Sequence, residues 1–365
     1  MSRADYLSKE ELVAYSRQIV LDEIGYEGQA RLRQGRVVLA GVGGLGTPVA
    51  LQLAAMGTGH LKIVDRDIVA VSDLHRQYIY DTESIGLPKV EAAAARLGTL
   101  NPRIEIEPVP ISIRRWNVEN LVRGADLVVD GLDSIETRYL INRACVKLGI
   151  PYVYCGAISS YANVTTIIPE KTPCLECFMP DLSDSDLPKC ALVGVYTPVL
   201  GIAASIAVSE AVRILTGKKP VFAGTLLYVD AASCSFMKVS ISRDENCPVC
   251  GKGSRSRRKI DEKPIEEQCS KSGKRTFTLT PNRWLEIDTN DASRRLHEKG
   301  WNVEKTGTLG VTLKNDDGLV LCLMKTGVAV VEIPPARKNS NVDPAALFRE
   351  LIVDTLKLER KAFGL

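Results

Sequence analysis

The sequence predicts an α/β domain built on a doubly wound, mainly parallel sheet, followed by a smaller α+β domain. Short apolar segments alternate with helix-like segments over the first two-thirds of the 365 residues, as expected for parallel strands covered by helices on both faces. After a charged stretch at 254–274, residues 275–365 resume a pattern of short strands with glycine turns. We therefore expect domains at 1–253 and 275–365, joined by a charged linker.

The composition is that of a globular protein and excludes several other classes of protein. Hydrophobic residues make up 45% of the chain and charged residues 25%, which excludes a wholly disordered protein. The net charge of +3 is too small to indicate nucleic-acid binding by itself. The ten cysteines are too few for a disulfide scaffold and no signal-like stretch opens the chain, so we expect a cytoplasmic, reducing compartment. The apolar run at 197–215 contains Glu210 and Arg213, which favours a buried helix over a membrane span.

Five strands of the large domain are predicted from short apolar runs. They lie, in chain order, at 36–40, 61–64, 104–108, 127–130 and 152–155. Helix-like segments lie between them, at 47–56, 88–97 and 137–148. Because ligands bind at the carboxyl ends of the strands in such sheets, the residues that follow each strand are the candidates for a functional site.

A glycine-rich turn follows the first strand directly. Its glycines are Gly41, Gly43, Gly44 and Gly46, which match the pattern G-x-G-x-x-G between a strand and a helix. Such glycines let the backbone approach a phosphate, whose charge faces the helix N-terminus. Asp65 follows the second strand, where a carboxylate can accept hydrogen bonds from ribose hydroxyls. These features predict a Rossmann-like nucleotide site, for which NAD or FAD would be the commonest ligand.

Three cations favour a triphosphate over a dinucleotide. Arg17 lies near the N-terminus, and Arg76 and Lys89 both follow the second strand. Their combined charge suits a triphosphate, and the forked guanidinium matches phosphate geometry. Asp133 follows the fourth strand, where a carboxylate beside phosphates is suited to hold Mg²⁺. The sequence therefore predicts ATP and Mg²⁺ as ligands, with a dinucleotide-dependent oxidoreductase as the alternative.

Two pairs of cysteines have the C-x-x-C spacing of metal sites. They are Cys174 with Cys177, and Cys247 with Cys250. Four thiolates at two close spacings favour tetrahedral Zn²⁺, and four protein ligands leave no open coordination position. We therefore expect a structural zinc site, with catalysis elsewhere. Cys190 lies between the pairs beside Lys189, where a positive neighbour could activate it as a nucleophile.

Together these motifs resemble, in their order, those of the ThiF, MoeB and ubiquitin-activating adenylyltransferases, over residues 12 to about 253. The matching segments are YSRQ at 15–18, GVGGLG at 41–46, DRD at 65–67, SDLHRQ at 72–77, GLPK at 86–89 and NP at 101–102, with Asp133 and the two cysteine pairs. In that family ATP and Mg²⁺ adenylate the C-terminal glycine of a ubiquitin-fold protein. The resemblance implies the same activity here, on a ubiquitin-like or sulfur-carrier protein that ends in Gly-Gly.

The resemblance also implies a role for each matching residue. Those expected to bind the nucleotide are Gly41, Gly43, Gly44, Gly46, Asp65 at the ribose, Asp67, Asp73, Arg76 and Lys89 at the phosphates, Gln77, Asp133 at the metal ion, and Ser134. Arg17 would act from the neighbouring subunit of a homodimer, which makes dimerisation a requirement for activity. Cys190 falls where many members carry the cysteine that takes up the activated protein as a thioester.

Departures from the family pattern leave alternatives open. Asp73 replaces an asparagine, which adds negative charge near the phosphates unless Mg²⁺ or Arg76 offsets it. Ser134 also stands where the family has an asparagine, and no acidic residue directly follows Cys190. The alternatives are a sulfur-carrier adenylyltransferase that forms no thioester on Cys190, and a nucleotide-binding scaffold without turnover.

The C-terminal region is predicted to begin with a strand and to end with a long helix. Its predicted strands lie at 277–279, 301–305, 310–314, 319–324 and 328–333, and its helices at 291–299 and 344–361. We expect this domain to serve recruitment, for instance of a conjugating enzyme, or dimerisation, in preference to binding nucleic acid.

Overall fold

The fold is seen in a computed structural model that describes residues 7–187, 193–252, 256–268, 274–335 and 342–365. It contains an eight-stranded sheet in the first two-thirds of the chain and a six-stranded sheet in the last third. These two sheets confirm the predicted fold class. The domain boundaries at 253 and 274 stay a prediction.

Eight strands form the large sheet. They are β1 (Arg36–Ala40), β2 (His60–Asp65), β3 (Glu105–Pro110), β4 (Leu127–Asp130), β5 (Tyr152–Ile158), β6 (Tyr161–Ile167), β7 (Thr225–Asp230) and β8 (Ser235–Ser240). Their spatial order is β3-β2-β1-β4-β5-β6-β7-β8. The first five strands run parallel, whereas β6, β7 and β8 are antiparallel to their neighbours. The order reverses between β1 and β4, which places a ligand crevice at the carboxyl ends of these strands.

Helices cover both faces of this sheet. They are α1 (Lys9–Ala14), α2 (Ser16–Ile19), α3 (Gly25–Gln34), α4 (Gly46–Ala55), α5 (Lys89–Leu100), α6 (Val118–Val122), α7 (Ile135–Leu148), α8 (Leu175–Phe178) and α9 (Thr197–Leu215). One core cluster joins the sheet to α4, α5 and α9. The other joins it to α6, α7 and α8, and also includes apolar side chains of the second sheet. The two domains therefore share a hydrophobic core.

Helix α9 coincides with the predicted helix and belongs to the protein core. Its length and apolar composition would suffice to cross a membrane, but half of its most apolar window is buried inside the protein. Glu210 is buried there and accepts hydrogen bonds from Thr166 Oγ1 at 2.7 Å and from the N–H groups of Val221 and Phe222 at 2.8 Å. A carboxylate with three such donors is stable in a protein interior, because its hydrogen-bonding capacity is met.

The second sheet is wholly antiparallel. Its strands are β9 (Ile265–Gln268), β10 (Arg275–Leu279), β11 (Trp301–Thr306), β12 (Gly310–Asn315), β13 (Val320–Met324) and β14 (Ala329–Ile333), and its helices are α10 (Thr289–His297), α11 (Pro344–Phe348) and α12 (Arg360–Phe363). The strand order is β11-β12-β13-β14-β10-β9. One face of the sheet packs on α10, α11 and the segment that follows α11. The other face contributes to the core shared with the large domain.

Two features of this region differ from the sequence prediction. Strand β9 falls inside the segment expected to be a linker and pairs with β10, Glu266 opposite Thr278. The prediction of a single helix at 344–361 is wrong, because α11 passes into a π-helical segment at Arg349–Thr355. Lys357 then adopts a φ of 58°, a left-handed conformation that a helix cannot continue through.

Candidate functional site

The glycine turn between β1 and α4 lies at the switch point of the sheet. A Cβ on Gly41, whose φ is 90°, would lie 2.6 Å from the carbonyl oxygen of Gly131, in the turn after β4. Gly46 approaches the Gly41 carbonyl too closely to carry a side chain, and a Cβ on Gly44 would lie 2.9 Å from a side chain of α9. A Cβ on Gly43 would have nothing within 4 Å. The turn is therefore packed against its neighbours and open at Gly43, where a phosphate can approach.

Asp65 is the last residue of β2, and its carboxylate accepts hydrogen bonds from two backbone N–H groups. Its Oδ2 accepts from Val42 at 2.7 Å and its Oδ1 from Asp67 at 2.8 Å. Burial, followed by repulsion from the Asp67 carboxylate, raises the pKa of Asp65. Because Val42 belongs to the glycine turn, Asp65 fixes that turn, while the second lone pair of each oxygen remains suited to a ribose hydroxyl.

Lys89 opens α5 and lies buried among carboxylates. Its side chain is 4% exposed, and its Nζ lies 3.1 Å from Asp67 Oδ2 and 3.9 Å from Asp73 Oδ2. Burial alone would lower the pKa of Lys89, but Asp67, Asp65 and Asp73 outweigh burial and raise the pKa above its usual range. Lys89 is therefore charged at every physiological pH and is held in one place.

Asp73, which stands where the family has asparagine, is engaged by donors of this chain. Its carboxylate accepts from Arg76 Nη2 at 2.9 Å, from Gln77 Nε2 at 3.1 Å and from the Ala70 N–H at 3.1 Å. The side chain is 1% exposed. Arg76 and Lys89 therefore offset the additional negative charge, which answers the question that the sequence left open.

Ser134 and Asp133 follow β4 at the same end of the sheet. Ser134 is the N-cap of α7: its Oγ accepts from the Thr137 N–H at 3.1 Å and donates to Asp184 at 2.7 Å. Asp133 is exposed. Ser134 is thus already used by the fold, whereas Asp133 presents its carboxylate at the rim of the crevice.

The charge of Asp133 acts on the DRD segment across the rim. Burial would lower the pKa of Arg66, but Glu266, Asp67 and Asp133 outweigh burial and raise the pKa. Asp133 and Asp67 therefore act on the same guanidinium, that of Arg66.

Arg17 lies apart from this cluster within one chain. Its motif neighbours anchor α2, because Gln18 Nε2 donates to the Met56 carbonyl and Asn101 Nδ2 donates to Tyr15 Oη, both at 2.8 Å. Met56 follows the C-terminal end of α4, whereas the glycine turn precedes its N-terminal end. A helix of 10 residues separates these ends by about 15 Å. Arg17 itself is exposed.

A buried network beneath the crevice was not identified from the sequence. Asp130 accepts hydrogen bonds from Arg138 Nε at 2.9 Å, from Tyr152 Oη at 2.6 Å and from the Leu132 N–H at 2.8 Å. Burial raises the pKa of Asp130, and Arg138 and these hydrogen bonds oppose the rise. Arg138 also donates to the Cys155 carbonyl at 3.0 Å, so it joins the end of β4 to the middle of β5. The sequence did contain a signal for this network: Asp130 is an acidic residue at the end of the fourth strand, just as Asp65 is at the end of the second.

The four predicted cysteine ligands come together. They are Cys174, Cys177, Cys247 and Cys250, and their Sγ atoms all lie within 4.8 Å of one another. The closest Sγ–Sγ separations are 3.3, 3.6 and 4.0 Å. A tetrahedral ion bound at about 2.3 Å separates its sulfur ligands by about 3.8 Å, so this four-cysteine cluster can hold a metal ion. Cys190 lies outside the described residues.

Comparison with known proteins identifies the large domain. The model of the ThiF family matches residues 15–249. The chain belongs to the ThiF family. A SAMP-activating enzyme E1 from Haloferax volcanii is 41% identical over 249 residues, which are 68% of this chain and 92% of that protein. A sulfur carrier protein adenylyltransferase from Thermus thermophilus is 40% identical over 261 residues, which are 70% of this chain and 96% of that protein.

The fold of this ThiF-family protein is also found in solved structures. The crystal structure of E. coli MccB superposes with a TM-score of 0.60 at 23% sequence identity, covering 70% of this chain and 76% of that one. The family match ends at residue 249, whereas the first strand of the antiparallel sheet begins at Ile265. The second sheet is therefore an addition to the ThiF domain.

Proposed function

We propose that this ThiF-family protein uses ATP to adenylate the C-terminal glycine of a ubiquitin-like or sulfur-carrier protein. The observation that carries the proposal is the cluster of Lys89, Arg76, Asp67 and Asp73 beside the glycine turn, in which Lys89 and Asp73 are buried. The names of the two relatives support it, since one is a SAMP-activating E1 and the other a sulfur carrier protein adenylyltransferase.

The proposed reaction joins a carboxylate to the α-phosphorus of ATP. An oxygen of the terminal glycine forms the new bond to phosphorus, and the bond from that phosphorus to the bridging oxygen breaks, which releases pyrophosphate. Lys89 and Arg76 neutralise the charge that builds on the phosphates, and preorganised charges of this kind are the largest catalytic contribution in many enzymes. Asp65 orients the nucleoside through its ribose. No general base is needed, because the attacking carboxylate is already ionised.

Asp133 fits a role as magnesium ligand in this proposal. Mg²⁺ prefers carboxylate oxygens and keeps several waters, and Asp133 is an exposed carboxylate at the phosphate end of the sheet. When bound there, the ion would withdraw negative charge from the phosphates. The Asp133→Ala variant is expected to lose pyrophosphate exchange.

We also propose a homodimer in which Arg17 completes the site of the neighbouring subunit. The position of α2, about one helix length from the glycine turn of its own chain, supports this arrangement. A mixture of Arg17→Ala and Asp133→Ala chains tests it, because a mixed dimer contains one intact site. Random pairing should restore about a quarter of wild-type sites, whereas mixtures that stay inactive would contradict sharing between subunits.

The four-cysteine cluster is proposed to bind a structural zinc ion. Its thiolates are the ligands that Zn²⁺ prefers, and a site with four protein ligands has no position left for a substrate. The ion would fix the start of α8 to the turn that follows β8. It would contribute to folding and take no part in the adenylation.

We propose two alternative fates for the adenylated partner protein. A thioester on Cys190 would prepare the partner for conjugation, whereas direct sulfur transfer would leave Cys190 unused. A reducible adduct with the partner, seen by non-reducing mass analysis for wild type and absent for Cys190→Ala, would support the thioester. Recruitment of a conjugating enzyme by the second domain and a cytoplasmic location stay predictions.

Partner-dependent exchange of pyrophosphate into ATP is the experiment that tests the adenylation. The partner should end in Gly-Gly, and the same partner without its last glycine serves as the control. We expect exchange only with the complete tail. A protein that binds NAD, or that binds ATP without exchange, would overturn the proposal in favour of an oxidoreductase or a scaffold.

A further inference from the structure

The added antiparallel sheet is ion-paired to the DRD segment of the nucleotide site. Arg66, between the two aspartates of that segment, forms an ion pair with Glu266 of β9, whose other oxygen pairs with Arg114. The three side chains are 29%, 28% and 9% exposed, so the contact is largely shielded from water. Although burial opposes it, Arg66 and Arg114 lower the pKa of Glu266. Glu266 is therefore ionised at neutral pH and holds Arg66 by charge.

The same sheet also holds the segment that leads into Lys89. Thr312 of β12 donates to the Gly86 carbonyl at 2.6 Å, within the GLPK motif. Glu91, in the first turn of α5, accepts from the Leu309 N–H at 3.0 Å. These contacts lie on both sides of Lys89 in the chain, so the second domain supports two segments of the charge cluster, the DRD segment and the segment around Lys89.

A short series of bonds connects Glu266 to the phosphate-binding lysine. The Asp67 carbonyl accepts from the Lys89 N–H at 2.8 Å, and the Asp67 carboxylate accepts from Lys89 Nζ. Asp65 in turn accepts from the Asp67 N–H. Arg66 lies between these two aspartates, so fixing its side chain limits the movement of both.

We propose that Glu266 is a positioning residue that acts through Arg66 to hold Asp65 and Asp67 in the conformation that binds ATP. This inference rests on the proposed adenylation and assigns the added sheet a role in nucleotide binding without contact to the nucleotide. Without the charge of Glu266, the Arg66 guanidinium can turn toward the Asp67 carboxylate. It would then compete with Lys89 for that carboxylate.

Neutralising Glu266 tests the inference through ATP affinity. The Glu266→Gln variant keeps the shape of the side chain, and we expect it to weaken ATP binding, measured by calorimetry, by about fivefold. The KM for ATP in exchange should rise by the same factor, with little change in kcat. Glu266→Asp, which retains the charge, should recover most of the affinity. Glu262→Gln is the matched control, because Glu262 lies at the same junction but bonds the Arg115 N–H, at 2.7 Å.

A double-variant cycle separates positioning from general support of the fold. If Glu266 acts through Arg66, then Arg66→Met combined with Glu266→Gln should bind ATP no more weakly than Arg66→Met alone. Additive losses, an unchanged affinity in Glu266→Gln, or an equal loss in Glu262→Gln would each overturn the inference. ATP binding is measured without the partner protein, so a failure of exchange with normal ATP binding would refute the proposed function and not this one.

Discussion

Replacing Lys89 with methionine tests how strongly the charge cluster depends on its central cation. Lys89→Met keeps the apolar stem and removes the charge between Asp67 and Asp73. With an effective dielectric constant of about 20, the distances of 3.1 and 3.9 Å correspond to attractions of about 5 and about 4 kcal/mol. Desolvation of the buried ammonium offsets much of this. We therefore expect a net loss of about 3–5 kcal/mol in the free energy of unfolding at neutral pH, as for other buried ion pairs that lose one partner.

This loss should depend on pH, with a sign that follows from the direction of each pKa shift. The pKa of Lys89 is raised, so its stabilisation is complete below the ordinary value of 10.5 and is lost only at higher pH. In the variant, Lys89 no longer offsets the repulsion between Asp65 and Asp67, so the pKa of Asp65 rises further in the folded state. The variant should therefore regain stability as the pH falls, by about 1.4 kcal/mol per pH unit for each proton taken up.

Chemical denaturation from about pH 5 to about pH 8 measures both effects. Lys62→Met is the matched control, because Lys62 of β2 pairs with Glu107 of β3 at 3.2 Å but in a more exposed position. The control should lose about 1 kcal/mol or less at every pH. A Lys89→Met protein as stable as the control, or one whose loss is the same at both ends of the pH range, would refute the reasoning.

Other variants test the remaining buried contacts. Tyr152→Phe removes the 2.6 Å hydrogen bond to Asp130 and should lower the free energy of unfolding by about 1–2 kcal/mol in chemical denaturation. Arg138→Met leaves Asp130 as an uncompensated buried charge and should cost about 3–5 kcal/mol; a smaller cost than for Tyr152→Phe would contradict this. Cys247→Ser should abolish the binding of one zinc ion per chain, measured by elemental analysis, and lower the melting temperature. An unchanged metal content would exclude the four-cysteine site.

The five parallel strands β1 to β5 and the ligand-bearing turns could be predicted because their signals are local. Strand β1 buries four of its five residues, so it appears in the sequence as an unbroken apolar run before the glycines. The cysteine pairs are equally local, since C-x-x-C spacing restricts the ligand chemistry whatever the fold. The antiparallel strands β6, β7 and β8 were not predicted, and β8 is exposed along its whole length and has no buried pattern.

Contacts between distant segments could not be predicted, because no local pattern records them. Arg66 and Glu266 are 200 residues apart in the chain. The partners of Asp73 were visible in principle, since Arg76 and Gln77 follow three and four residues later, but its burial was not. Whether a charge is buried depends on which elements pack over it, and that information belongs to the fold.

The balance of charges at the glycine turn bears on the proposal that a second subunit contributes to ATP binding. Among the described residues around the glycine turn, three carboxylates face two cations, Lys89 and Arg76, while Arg66 is bound to Glu266. The cluster thus carries a net charge of about −1 (two minus three) before the nucleotide brings further negative charge. The partial positive charge at the N-terminus of α4 offsets only about half a unit. Additional positive charge would favour the nucleotide at such a site, which supports the proposals of Mg²⁺ at Asp133 and of Arg17 from a second subunit.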